Sequence, residues 1–267
     1  MRWPERIVCL TEETTETLYL LGEEDRIVGI SGFTVRPPRA RKEKPKVSAF
    51  TSAKIDRILA LEPDLVLGFS DLQADIAREL ISHGIEVHVF NHRSVDQIVT
   101  MIAQLGAMVG AADRALQLAT ELEQKVDALR QLTHQYAVKP RVYFEEWDDP
   151  LISGIQWVSE LVTIAGGRDC FAELAAESLG KNRIIPDRQT VVERSPDIII
   201  GSWCGKKFRP ERVAARDGWD AIPAVRDKQI FEIKSAMILQ PGPAALTDGL
   251  DALHAIISAW VTARLGE

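Results

Sequence analysis

Cysteine, aromatic residues and long apolar runs are all scarce in this sequence, and each scarcity removes a class of protein. The three cysteines, Cys9, Cys170 and Cys204, lie far apart with no Cys-x-x-Cys pair. Such an odd, sparse set is not a disulfide framework and fits a reducing compartment. No stretch approaches the roughly 20 apolar residues needed to cross a bilayer, so membrane insertion is not expected. Positive charge is also short: the net charge is -7, which disfavours nucleic acid as a partner, because phosphate binding needs a concentrated basic face. A Gly-rich phosphate loop, Gly-x-Ser-x-Gly and His-Glu-x-x-His are all missing, so the familiar enzyme signatures have no foothold. The start, Met1 to Leu10, has neither the apolar core nor the cleavage site of a secretory leader. The expectation is a cytoplasmic location, or a periplasmic one if a leader precedes this sequence.

What is present is an α/β pattern that occurs twice. The chain has 267 residues, 46% of them hydrophobic, enough for one large or two modest cores. Residues 55–70, IDRILALEPDLVLGFS, echo residues 189–203, QTVVERSPDIIIGSW. Pro63, Asp64 and Gly68 fall opposite Pro196, Asp197 and Gly201. Each segment reads as a short amphipathic helix, a Pro-Asp turn and a fully apolar strand of the kind that is covered on both faces. Proline ends each helix because the residue before it is pushed out of helical backbone. The flanks add strands at Arg6–Leu10, Arg26–Ile30, Ile85–Phe90, Arg141–Glu145 and Gln229–Ile233. They also add helices at Thr14–Leu21, Leu72–His83 and Trp157–Ala165, one from Ser94 to about Gly110, and a last one from near Pro243. From Ala112 to about Ala137 there is neither Gly nor Pro, and Leu118, Leu122, Val126, Leu129 and Leu132 recur at helical spacing. A helix of that length is a rod of about 35–40 Å, long enough to be a strut. The expected architecture is an N-terminal lobe over 1–111, a single backbone helix over 112–138 and a C-terminal lobe over 139–267, each lobe Rossmann-like with a parallel sheet.

In open parallel sheets, ligands bind beyond the carboxyl ends of the strands. That rule selects Glu12, Glu13, Phe33, Phe50, Phe69 and His92 in the first half. In the second it selects Glu145, Trp147, Ser153, Trp203, Cys204 and Gln240. With aromatics at only 6%, the position of Phe50, Phe69, Trp147 and Trp203 just past strands is the pattern of a small-molecule pocket. The acids admit two readings. Glu12 and Glu13 either cap a helix start or join Glu145, Glu146, Asp148 and Asp149 in an acidic mouth for a cation. His92 is a candidate metal ligand, although no second histidine stands at metal-ligand spacing. Cys204 has Lys206 and Lys207 nearby to lower its pKa, but no base and orienting group complete a nucleophile. No catalytic residue is expected.

Several segments resemble the class III periplasmic substrate-binding proteins that serve ABC importers. These are RIVCLTEETTETLYLLGEEDRIVGIS, VRPPRARKEKPKVSAF, KIDRILALEPDLVLG, the long helix, VVERSPDIIIGSW and the closing helix. The resemblance covers nearly all residues and is nearest to the vitamin B12-binding branch. It implies two α/β lobes joined by one rigid helix and no enzymatic activity or required cofactor. It also implies a corrinoid ligand such as cobalamin held in the cleft, with haem, an iron–siderophore complex or a bare metal ion as alternatives. By position Phe50 stands where that branch puts an aromatic beside the corrin. An ABC importer permease is the implied partner. Of the two acids with which the family docks that permease, one falls on Asp56 and the other near Gln240, which carries no charge. The missing leader and the uncharged docking position together suggest a soluble carrier, scavenger or sensor that has left the importer.

Overall fold

The computed structural model describes residues 3–266; of the amino-terminal residues considered above, Met1 and Arg2 lie outside them. Two compact units are present. Among the described residues one comprises 3–92, 96–123 and 240–243, the other 93–95, 124–239 and 244–266.

The first unit is built on a five-stranded, all-parallel sheet in the order β3-β2-β1-β4-β5. Its strands are β1 (Ile7–Cys9), β2 (Ile27–Ser31), β3 (Lys46–Ser48), β4 (Leu65–Phe69) and β5 (Val87–Phe90). The apolar run Leu65-Val66-Leu67 is buried because β4 lies between β1 and β5 with helices on the sheet faces. On one face Val8, Leu10, Val47, Ile58, Val66, Ile76 and Leu80 form a continuous core. Each such side chain contributes roughly 1.5–3 kcal/mol by leaving water.

The second unit has the order β10-β9-β6-β7, with β8 also paired to β6. Here β6 is Arg141–Asp148, β7 Leu151–Ser153, β8 Arg168–Asp169, β9 Ile198–Gly201 and β10 Ile230–Glu232. Strand β9 pairs in parallel with β10 and β6, and β8 in parallel with β6, whereas β6 and β7 form an antiparallel hairpin. Sequence reading ends the first of these strands at Glu145; it runs on to Asp148 because β7 supplies a partner. Tyr143, Phe171, Ile199, Trp203, Phe208 and Trp219 sit in one buried cluster.

The echo is structural. Asp64 accepts hydrogen bonds from the amides of Glu5 (2.7 Å) and Arg6 (2.9 Å), tying the Pro-Asp turn to the start of β1. Asp197 does the same for β6, accepting from the Arg141 amide (2.8 Å) and from its guanidinium at 3.0 Å twice.

The long helix is continuous over Ala112–His134, 23 residues, or about 35 Å. It ends three residues before the expected Ala137. Its buried positions are Ala115, Ala119, Leu122, Val126 and Thr133, while Leu132 is exposed. The small residues have a steric reason. A Cβ on Gly106, in the preceding helix Val95–Met108, would lie 2.0 Å from the Ala115 Cβ, so the two backbones approach too closely for larger side chains.

Candidate functional site

In the first unit the strand order reverses direction of growth at β1 and β4, the crevice where open sheets take ligands. The helix that follows β1, Glu12–Leu20, starts there. Glu12 and Glu13 lie in its first turn and are both buried, Glu13 at 1% exposure. Glu12 accepts from the Ser31 hydroxyl at 3.2 Å. Glu13 accepts from the Thr11 hydroxyl through Oε1 at 2.5 Å, while its Oε2 has no hydrogen-bond partner among the described residues. Burial, then the neighbouring Glu12, pushes the Glu13 carboxyl up to about 8. Burial raises Glu12 as well. The carboxyls are sunk in the protein, so neither presents an open acidic face to solvent. Gly242 of the 240–243 segment packs onto Glu13, where an added Cβ would lie 2.6 Å from the Glu13 Cβ.

Phe33 is exposed, Phe50 half-buried and Phe69 buried. The Phe50 carbonyl accepts from Gln73 (2.9 Å), whose Oε1 in turn accepts from the Phe69 amide (2.9 Å), so one buried side chain ties these two segments together. Gln73 went unnoticed in the sequence, where it carries no distinguishing signal. His92 is buried, with its Nε2 2.6 Å from the Pro241 carbonyl. A carbonyl can only accept, so Nε2 carries the proton and donates, and that nitrogen is engaged rather than open to a metal. The Phe69 ring stands edge-on to the imidazole at 5.1 Å. Among the described residues no group of three or more His, Cys, Asp or Glu side chains could hold a metal ion. His92 thus ties the end of β5 to the 240–243 segment through Nε2 and packs against Phe69. Asp56 is exposed on the short helix Ile55–Leu59, and Gln240 is half-buried.

In the second unit three of the acids that sequence reading grouped as a cation mouth, Glu145, Glu146 and Asp148, each have their own cation, and the fourth, Asp149, is exposed. Glu145, fully buried, accepts from Arg216 (2.6 and 2.9 Å), from the Trp203 indole (3.1 Å) and from the Tyr143 hydroxyl (3.0 Å). Glu146 pairs with the buried Arg183 at 2.7 and 3.1 Å. Asp148 pairs with Lys206 at 2.6 and 2.7 Å. These three acids are therefore ion-paired, and for the fully buried Glu145 the pairing is required, because an uncompensated buried carboxylate is far costlier than a paired one. Ser153 is also buried; its hydroxyl and amide both donate to the Arg183 carbonyl, at 3.4 and 3.1 Å, so it holds that loop in place.

What these pairs organise is aromatic. Trp203 follows β9, 5% exposed, with its Nε1 fixed on Glu145 and the Phe208 ring edge-on at 4.8 Å. Phe208 lies so close over Gly201 that a Cβ there would be 1.8 Å from the ring. Trp147, half-buried on β6, donates through Nε1 to the Asp149 carbonyl at 2.9 Å. Lys206 places its ammonium 5.1 Å from the Trp203 ring centre and 5.3 Å from that of Trp147. The two tryptophans chosen from the sequence thus share one cation. Cys204 is exposed in the same loop.

The comparisons with known proteins agree with this architecture. The periplasmic binding protein family matches residues 7–237. The vitamin B12-binding protein of Vibrio parahaemolyticus is 25% identical over 250 residues, 91% of this chain and 86% of the relative. Among solved structures, the periplasmic vitamin B12-binding protein of Vibrio cholerae superposes with a TM-score of 0.78 at 21% identity, covering 96% of this chain and 98% of the other. The periplasmic haem-binding protein RhuT of Roseiflexus superposes with a TM-score of 0.81 at 24% identity, covering 95% and 99%. The fold is the class III substrate-binding protein fold, and among the described residues no helix is long and apolar enough to cross a membrane. The chain belongs to the periplasmic binding protein family.

Proposed function

We propose that this chain is a non-enzymatic carrier of a corrinoid of the cobalamin type, held at strand-end residues of the second unit. The observation that carries the proposal is the tryptophan pair of the second unit. A flat, bulky macrocycle needs rigid aromatic faces, and Trp203 is locked at its nitrogen by the buried Glu145–Arg216 pair. Phe33 and Phe50 are the partly or fully exposed aromatics that the first unit offers beyond its strands. Relatives named as vitamin B12-binding proteins support the corrinoid over other ligands. Haem is the second reading, favoured by the TM-score of 0.81 to a haem-binding protein.

The same reading makes an ABC importer permease the partner, with exposed Asp56 as the docking acid, while the second docking position falls near Gln240, which carries no charge. The relatives' names place them in the periplasm or on a lipoprotein anchor, which favours the exported alternative over the cytoplasmic expectation. An enzyme that processes metal chelates would need Cys204 as nucleophile, and turnover abolished by Cys204→Ser is the result that would establish it. The direct test is a visible-absorbance titration of the purified protein with cyanocobalamin, haemin and a ferric siderophore. Saturable binding of cyanocobalamin at micromolar concentrations, tighter than that of the other two, is the expected result.

A further inference from the structure

We propose that Lys206 is a displaceable cap on Trp203 and Trp147, and that it restricts these rings to ligands offering a broad, flat face. The inference rests on the reading of the two tryptophans as ligand-facing residues. Within the buried cluster that holds Trp203, three neighbours contact the indole in defined ways. Glu145 holds its Nε1 at 3.1 Å, Phe208 meets it edge-on at 4.8 Å, and the Lys206 ammonium lies over the ring at 5.1 Å. The same ammonium lies 5.3 Å from the centre of Trp147 and within 2.6 and 2.7 Å of the two Asp148 carboxylate oxygens. One cation thus attends both rings at once, while Trp203 is left only 5% exposed.

The neighbours differ in how readily they move. Glu145 is completely buried and the Arg216 side chain is 10% exposed, so that pair cannot part without stranding a charge away from water. The Lys206 side chain is 38% exposed. Leaving the rings returns its ammonium to water, and the flexible four-carbon stem lets it keep Asp148 while doing so. The inner edge of Trp203 is therefore fixed and its outer cover is removable. A macrocycle with an extended apolar face replaces the cation with stacking over both rings. A bare metal ion or a compact chelate has no such face, so it gains nothing by displacing Lys206 and is turned away.

The test compares wild type with Lys206→Ala and Lys206→Arg, each checked for an unchanged circular dichroism spectrum. In ligand-free protein, acrylamide should quench tryptophan fluorescence more strongly in Lys206→Ala than in wild type. Lys206→Arg, whose guanidinium also stacks on indoles, should behave as wild type. Titration with cyanocobalamin and haemin should show the bound macrocycle held about three- to tenfold more tightly by Lys206→Ala, the range expected for losing one or two exposed cation–π contacts from the free state. Unchanged quenching in Lys206→Ala overturns the cap. Weaker macrocycle binding by that variant overturns it too, since Lys206 would then be a contact of the ligand. If no variant binds either macrocycle, the proposed function fails, and the quenching comparison decides the cap by itself.

Discussion

The two units bury acids near the ends of their central strands, and they do so in opposite ways. Beyond β1, Glu13 is sunk beside Glu12 with one hydroxyl donor and an Oε2 that has no partner among the described residues. Near the end of β6, Glu145 is equally buried but receives a guanidinium, an indole and a phenol. The first arrangement favours the protonated acid, since burial penalises the carboxylate and nothing of opposite charge offsets it. The second is an ion pair whose members depend on each other. The same residue type at comparable places in related topologies is therefore a proton-binding group in one unit and a scaffold for an aromatic side chain in the other.

The largest effect should come from breaking the second arrangement. Arg216→Met leaves Glu145 buried without its cation, and chemical denaturation should register a loss of about 3–5 kcal/mol. Adding Glu145→Gln should restore much of it; a double variant as unstable as the single one would mean that packing, not charge, dominates there. Next comes the pH dependence of the first arrangement. The Glu13 carboxyl is raised from its ordinary 4.5 to about 8, so its contribution to stability is complete below about pH 4.5. That contribution is lost progressively as pH rises through 8. The slope of stability against pH in that window should reach at most about 1.4 kcal/mol per unit from this group, and Glu13→Gln should flatten it. A smaller loss, about 1–3 kcal/mol, is expected for Gly201→Ala, whose methyl would enter the Phe208 ring. Thermal denaturation of this variant should also show altered tryptophan emission, as Phe208 is pushed against Trp203. The smallest pair sharpens the comparison at the Pro-Asp turns. Asp64→Asn and Asp197→Asn should each cost about 1 kcal/mol, with Asp197 the larger because it also binds the Arg141 guanidinium.

Much of the fold was legible because its signals are local. The runs Leu65–Leu67 and Ile198–Ile200, each behind a Pro-Asp, mark strands buried on both faces, and both turns fasten the neighbouring strand through the aspartate. The strands that escaped notice, β3, β7 and β8, span only three, three and two residues, too short for a period to register. Strand β7 also follows directly on Pro150, which reads as an end and not as part of a hairpin. The candidate site was legible in its aromatics and illegible in its charges. Trp147 and Trp203 could be chosen by their place past a strand or near its end. Glu145 finds Arg216 across 71 positions of sequence and Glu146 finds Arg183 across 37, and no periodicity reports such pairings. Without those partners the acids looked like a cation site. The helical repeat of the long helix was visible in its leucines, but the buried stripe runs through Ala115 and Ala119, because Gly106 demands a close approach.

The central claim, that Trp203 forms part of a macrocycle-binding surface, is tested most directly by following the visible absorbance of cyanocobalamin and haemin during titration with wild type and with Trp203→Phe, which keeps an aromatic ring but removes the indole. The account predicts saturable micromolar binding by wild type of at least one macrocycle, weakened about tenfold or more in the variant. Failure of wild type to bind either macrocycle, or equal binding by both proteins, would contradict it.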